Sequence, residues 1–315
     1  MKVYDSIIIG AGPAGLSAGI YAGRALLDTL IIEQGPEGGQ IIQTAEIENY
    51  PGSPLEESGE SLIGRMAAQI KKFGIEKIND TVKKVSLEGK VKTVTCEQGS
   101  YQTKTLIIAG GATAKPIGCV GEEEFVGRGI SHCGTCDGPF FKGLHVYVVG
   151  GGEAALQEAV YLTKFARKVT VIHRRRVLRA SKFTQDKAFK HEKIDFMYHT
   201  VIKEVRGDGL LESMIVENVK DGSVTEIKAD PNDGTFGLFV FIGFNPATEI
   251  YRGKLKLNEK GYIVTDSDMR TSVEGVFAAG DIREKSLRQV ITAAADGAIA
   301  AEQAGKYIDE TCEVV

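Results

Sequence analysis

One design occurs twice in the chain, and it restricts the fold more than any other feature. Residues 4–15 are a short β-branched strand running into Gly10-Ala11-Gly12-Pro13-Ala14-Gly15, and residues 144–155 repeat it, with His145-Val146-Tyr147-Val148-Val149 leading into Gly150-Gly151-Gly152-Glu153-Ala154-Ala155. The first glycines are 140 residues apart, and a second strand ends 23 residues after each, at Glu33 following 29–32 and at His173 following 169–172. Apolar periodicity predicts a helix over 16–26 and another over 156–165. A lone G-x-G-x-x-G is a weak signal. Two of them, in matching strand–turn–helix–strand units, point to dinucleotide binding, because missing side chains let backbone N–H groups and the helix N-terminus meet a pyrophosphate.

Later segments show how the two units nest. TLIIAGGA (105–112) and LFVFIGF (238–244) are buried strands ending in small residues, one for each unit, and Pro116 and Pro246 follow them. These prolines place linkers near 113–119 and 244–249. GVFAAGD (275–281) is a further strand, and a helix over about 287–306 completes the chain. The second domain is therefore inserted into the first. The expected fold is α/β with two Rossmann-like dinucleotide-binding domains, one of residues 1–117 and 248–315 and the other, inserted into it, of residues 118–247. A chain of 315 residues suits two domains of about 150 each.

The ends of the second strands separate the ligands. Glu33 can accept hydrogen bonds from a ribose 2′-OH and would repel a 2′-phosphate, so the first unit suits FAD or NAD. In the second unit that place holds His173-Arg174-Arg175-Arg176, with Arg179 following, which suits the 2′-phosphate of NADPH. A solvated helix start or a nucleic-acid patch is the competing explanation of the basic run. No aromatic residues interleave it, and 38 Lys plus Arg against 42 Asp plus Glu give the chain a net charge of −4, so neither nucleic acid nor an anionic membrane is favoured as a partner. The apolar N-terminal stretch is cut by Gly10, Gly12, Pro13 and Gly15, so it is neither a signal-peptide core nor a membrane span, and a cytoplasmic protein is expected.

Cys133-Gly134-Thr135-Cys136-Asp137 carries the chemistry. Cysteines three apart near βαβ units suit dithiol redox chemistry. Zinc is the alternative, with His132 as a third ligand, but a structural site needs four, and Cys96, Cys119 and Cys312 show no paired spacing; no metal is expected. Those three are expected to be inert thiols, and His132 a neighbour of the site.

GAGPAG (10–15), GGQI (38–41), ENYPG (48–52), CGTCDG (133–138), GGGEAA (150–155), HRRRVLRAS (173–181), GVFAAGD (275–281) and RQV (288–290) together resemble the low-molecular-weight thioredoxin reductases, nearly end to end. CDGPFFKG (136–143) is also similar to the flavoprotein subunit of alkyl hydroperoxide reductase, whose additional N-terminal redox domain has no counterpart in the 315 residues. The resemblance implies a homodimeric FAD enzyme that takes hydride from NADPH and reduces thioredoxin or a thioredoxin-like protein. It implies that Gly10, Gly12, Ala14, Gly15 and Glu33 hold the FAD pyrophosphate and ribose. Gln40, Asn49, Val82 and Gly110 would also serve FAD, and Asp281, Arg288, Gln289 and Val290 would close the flavin site. A helix beginning near Arg288 would aim its positive end at the flavin edge where negative charge collects on reduction. Gly150, Gly152, Glu153, Ala154, Ala155, His173, Arg174, Arg175 and Arg179 would hold NADPH. Cys136 would face the flavin, Cys133 would attack the partner, and Asp137 would protonate a leaving thiolate, or cap the next helix, or both.

The chain departs from the family at Phe244, where His is frequent, at Ala154, where Ser is frequent, and at Glu153, where Asp is common. Those changes bear on NADPH affinity. A ferredoxin or quinone flavin reductase on the same fold, which would not need the cysteines, and a non-enzymatic redox or nucleotide sensor are the other functions open to such a sequence. Because the cysteines and the NADPH residues share the inserted domain, the resemblance also implies that this domain turns about its linkers to present nicotinamide and disulfide alternately.

Overall fold

In the computed structural model of the chain, which describes residues 2–44, 47 and 49–312, the backbone forms two compact units, Met1–Thr113 with Asn245–Val315, and Ala114–Phe244. Glu48 of the ENYPG segment and the side chain of Cys312 lie outside the described residues.

Each unit is built on a parallel sheet with its glycine-turn strand in the middle. In the first, the order is Glu76–Asn79, Thr29–Glu33, Val3–Ile9, Ser100–Ile108, with Val276–Ala278 beside the last half of Ser100–Ile108. In the second it is Ile194–Tyr198, Lys168–His173, His145–Val149, Gly237–Val240, Ile130–Ser131. The chain leaves Val3–Ile9 and His145–Val149 towards one side and returns on the other, so each glycine turn sits where the strand order reverses, the usual ligand crevice of an open α/β sheet.

Strand alternation sorts the core into layers. Ile8, Ile31, Ile107 and Phe277 face the helices Pro13–Arg24, Gly59–Lys72 and Val290–Cys312, while Ile7, Leu30, Ile32, Leu106 and Val276 face the antiparallel strands Val82–Ser86 and Lys92–Cys96 and the segment around Tyr251. In the second unit Val146, Val148, Val169 and Val171 pack under the helices Glu153–Leu162 and Lys182–Phe189. Tyr147, Ile172 and Leu238 meet the three-stranded sheet Thr200–Asp208, Leu210–Asn218, Val224–Lys228. No helix among the described residues is long and apolar enough to cross a membrane.

The strands read over 105–112 and 238–244 end earlier than their apolar runs, at Ile108 and Val240, because Gly111 (φ 70°) and Gly243 (φ 112°) turn the chain; the residues beyond them pair with each other as Ala112–Ala114 and Phe244–Pro246. The units part at 113/114 and 244/245 rather than at 117/118 and 247/248. Ile117 packs against the second unit's core, and the N–H groups of Ile117 and Gly118 are held by the Glu122 carboxylate at 2.7 Å each. Ala247 bonds back to the Gly111 carbonyl of the first unit. The C-terminal helix is Val290–Cys312, starting after 287 because the Thr292 hydroxyl accepts the Gln289 N–H at 3.2 Å as a cap does.

Candidate active site

All strands of the second unit's parallel sheet finish at one edge, and three finish in chemistry. Ile130–Ser131 leads into Cys133, His145–Val149 into Gly150, and Lys168–His173 into Arg174. Cys133 and Cys136 form a disulfide with Cα atoms 5.3 Å apart, and the helical turn Gly134–Asp137 carries Asp137 with it. The Ser131 hydroxyl donates to the Asp137 carboxylate at 2.6 Å and accepts the Cys133 N–H at 3.0 Å. Burial raises the Asp137 carboxyl above its ordinary range, against the pull of that hydrogen bond and of His132. A carboxyl that keeps its proton to higher pH can return it to a leaving thiolate. His132 Nδ1 lies 3.3 Å from the Val240 carbonyl oxygen, which ties the ring to the next strand. Glu158, on the helix packed beside the turn, lays Oε2 against Gly134 so closely that a methyl there would strike it.

The nucleotide turn of this unit is shaped by absent side chains. A Cβ at Gly150 would stand 2.6 Å from the Phe241 carbonyl oxygen, and one at Gly151 would strike the His173 ring, whereas one at Gly152 meets nothing within 4 Å. His173 is thus a buried support beneath the turn, its Nε2 3.2 Å from the Val177 carbonyl oxygen and its pKa lowered by burial. The Arg179 N–H donates to the Gly151 carbonyl at 2.6 Å, which brings the arginine loop back onto the glycines while Arg174, Arg175 and Arg179 reach solvent. Glu153 accepts from Ser181 N–H at 2.7 Å and Thr184 Oγ1 at 2.5 Å, linking the helix that begins at the turn to the helix that closes the loop. Ala154 is exposed beside it and Ala155 is buried beneath.

In the first unit Gly10 (φ 106°) approaches the Ala109 carbonyl, a methyl at Gly15 would strike the Gly10 carbonyl, and Gly12 is open, its nearest neighbour 3.8 Å from a Cβ. Glu33 accepts the Ala11 N–H at 2.6 Å and the Gly35 N–H at 3.0 Å, so it orders the turn itself and has lone pairs left for a ribose. Gln40 donates to the Ala112 carbonyl, and Asn49 donates to Gln289 at 3.1 Å, joining two residues far apart in sequence. Gly110 lies near Ile282 and Ala247, and Val82 is half-buried against the sheet's second core layer. Asp281 sits in the short turn Gly280–Ile282, and Arg288 stacks its guanidinium 4.3 Å from the Tyr262 ring centroid.

A family model described as pyridine nucleotide-disulphide oxidoreductase matches residues 4–297. The chain belongs to this family. It is 55% identical to the thioredoxin reductase of Peptoclostridium litorale over 98% of both chains, and 46% identical to that of Bacillus subtilis over 100% of this chain and 98% of the other. The crystal structure of thioredoxin reductase from Streptococcus pyogenes superposes with a TM-score of 0.91 at 45% identity, covering 98% of this chain and 99% of that one.

Asp281 Oδ1 and Arg288 Nε are buried without hydrogen-bond partners among the described residues, an arrangement that a bound polar group would satisfy. Gly12 and Gly152 leave the open face of each turn unfilled. Burial pushes the thiols of Cys96 and Cys119 up to about 11, so both stay protonated at neutral pH. Among the described residues no group of three or more His, Cys, Asp or Glu is arranged to hold a metal ion. Sequence patterns did not reveal Ser131, Glu158 or Asp296: a serine before C-x-x-C and carboxylates inside helices carry no spacing signal, and only the fold shows what they face.

Proposed function

We propose that this chain is an NADPH-dependent thioredoxin reductase, with FAD held in the first unit and NADPH in the second. The carrying observation is the Cys133–Cys136 disulfide beside a half-buried carboxyl, on the same sheet edge as an arginine-flanked glycine turn. The relatives of the same length bear that name, which supports the choice of thioredoxin or a thioredoxin-like protein as substrate. A homodimer in the cytoplasm is part of the proposal. Gly10, Gly12, Gly15, Glu33, Asp281 and Arg288 would hold FAD; Gly150, Gly152, Arg174, Arg175 and Arg179 would hold NADPH.

Bound NADPH and FAD supply the electron pair that opens the Cys133–Cys136 disulfide. The chain's residues do the rest. The Cys133 thiolate attacks one sulfur of the partner's disulfide, forming a mixed disulfide and expelling the other sulfur as thiolate. Asp137, held by Ser131, provides a proton to a leaving thiolate. Cys136 then attacks the Cys133 sulfur, the mixed disulfide breaks, the second partner sulfur leaves, and the Cys133–Cys136 bond is restored.

The test is a trap. In Cys136→Ser protein, Cys133 can attack but no resolving thiol remains, so oxidised thioredoxin should stay covalently bound and be released by dithiothreitol, as mass spectrometry reads directly. Absence of the adduct with competent oxidised thioredoxin would count against the proposal.

A further inference from the structure

We infer that Asp296 is a positioning residue of the flavin site, setting through Lys285 and Arg283 the charge that stands behind the Gly280–Asp281 turn. The inference rests on the proposal that FAD occupies the first unit. Asp296 lies in the helix Val290–Cys312 and is 7% exposed. Its Oδ2 accepts the Gly280 N–H at 3.0 Å and meets Lys285 Nζ at 2.8 Å and Arg283 Nη1 at 3.3 Å. Both cations are withdrawn from water, at 6% and 13% side-chain exposure. The cluster is braced against the glycine turn: a Cβ at Gly280 would lie 2.9 Å from Ala14 Cβ, a methyl at Gly297 would strike the Ala14 carbonyl, and Ser17 Oγ donates to the Ala294 carbonyl at 2.7 Å.

One carboxylate thus faces two cations, in the segment whose Asp281 and Arg288 hold the unsatisfied atoms. A flavin gains negative charge on reduction, and a fixed charge in a poorly solvated site acts on it more strongly than one in water. The charge at position 296 therefore tunes how readily bound flavin accepts electrons.

The experiment is a dye-coupled reductive titration of the flavin midpoint potential in FAD-loaded wild type, Asp296→Asn and Lys285→Met. Asparagine keeps an acceptor for the Gly280 N–H and removes the charge, so the potential should rise by about 30 mV, the two-electron equivalent of a tenfold change. Lys285→Met should lower it by a similar amount. A purely packing role predicts weaker FAD retention with potentials unmoved, or moved in the same direction by both substitutions; either result overturns the inference. Should Asp296→Asn not fold, Lys285→Met decides alone, a fall supporting and no fall overturning. Wild type that retains no FAD would overturn the flavin proposal itself and this inference with it.

Discussion

Asp137 couples catalysis to a stability cost. Its folded pKa is raised by burial above the unfolded value of about 4, so the native state binds the proton more tightly than the unfolded chain does. The group's contribution is full below about pH 4 and is lost as pH rises through the folded pKa. Asp137→Asn should therefore melt higher than wild type at neutral pH and alike at low pH, while its kcat falls about a hundredfold, the usual scale of general-acid catalysis. Equal melting at neutral pH, or unchanged kcat, would remove the role given to this carboxyl. The arginines make a second residue-scale prediction. Replacing Arg174 and Arg175 by Ala should raise KM for NADPH at least about tenfold and leave KM for NADH nearly unchanged, since each charge-assisted bond to the 2′-phosphate contributes roughly 1.5–3 kcal/mol. Equal effects on both nucleotides would reassign the loop. The cysteine pair and the arginine loop stand out in the sequence by residue type and spacing, and Asp137 by the family resemblance. Ser131 and Asp296 do not, because each acts by touching a residue brought near only by folding.

At the scale of elements, the glycine turns divide into positions the fold needs and positions the fold leaves open. A methyl at Gly15 would strike the Gly10 carbonyl, whereas Gly12 and Gly152 have room for one. Gly15→Ala should therefore cost several kcal/mol or fail to accumulate, beyond the roughly 1–3 kcal/mol of ordinary overpacking. Gly12→Ala should melt within about 1 kcal/mol of wild-type apoprotein yet retain little FAD, measured by flavin content after gel filtration. Full flavin content in Gly12→Ala would show that this face is not where the pyrophosphate lies. The parallel sheets were readable from two strand–glycine–helix repeats. The hairpin strands Val82–Ser86 and Lys92–Cys96 and the three-stranded sheet were not singled out, since short polar-alternating strands such as Lys92–Cys96 resemble many loops until a core face is known.

At the scale of the whole molecule, the chain passes between its units twice, at 113/114 and 244/245, and the redox pair shares residues 114–244 with the glycine turn at Gly150 while the residues proposed to hold FAD lie in the other unit. Because the family resemblance implies that nicotinamide and disulfide use one flavin face in turn, the proposal has the second unit turn on these crossings. A cross-link fixing the cysteines at the flavin should stop NADPH-driven turnover while photoreduction still opens the disulfide; full turnover of the locked protein would exclude the rotation. The most direct test of the central claim is steady NADPH oxidation with oxidised thioredoxin, comparing wild type with Cys136→Ser. Wild type should consume NADPH steadily in proportion to thioredoxin reduced, and the variant should fall to about one hundredth or less, because loss of the resolving thiol removes the exchange step itself. Comparable turnover in the variant, or NADPH consumption in wild type that thioredoxin does not increase, would contradict the assignment.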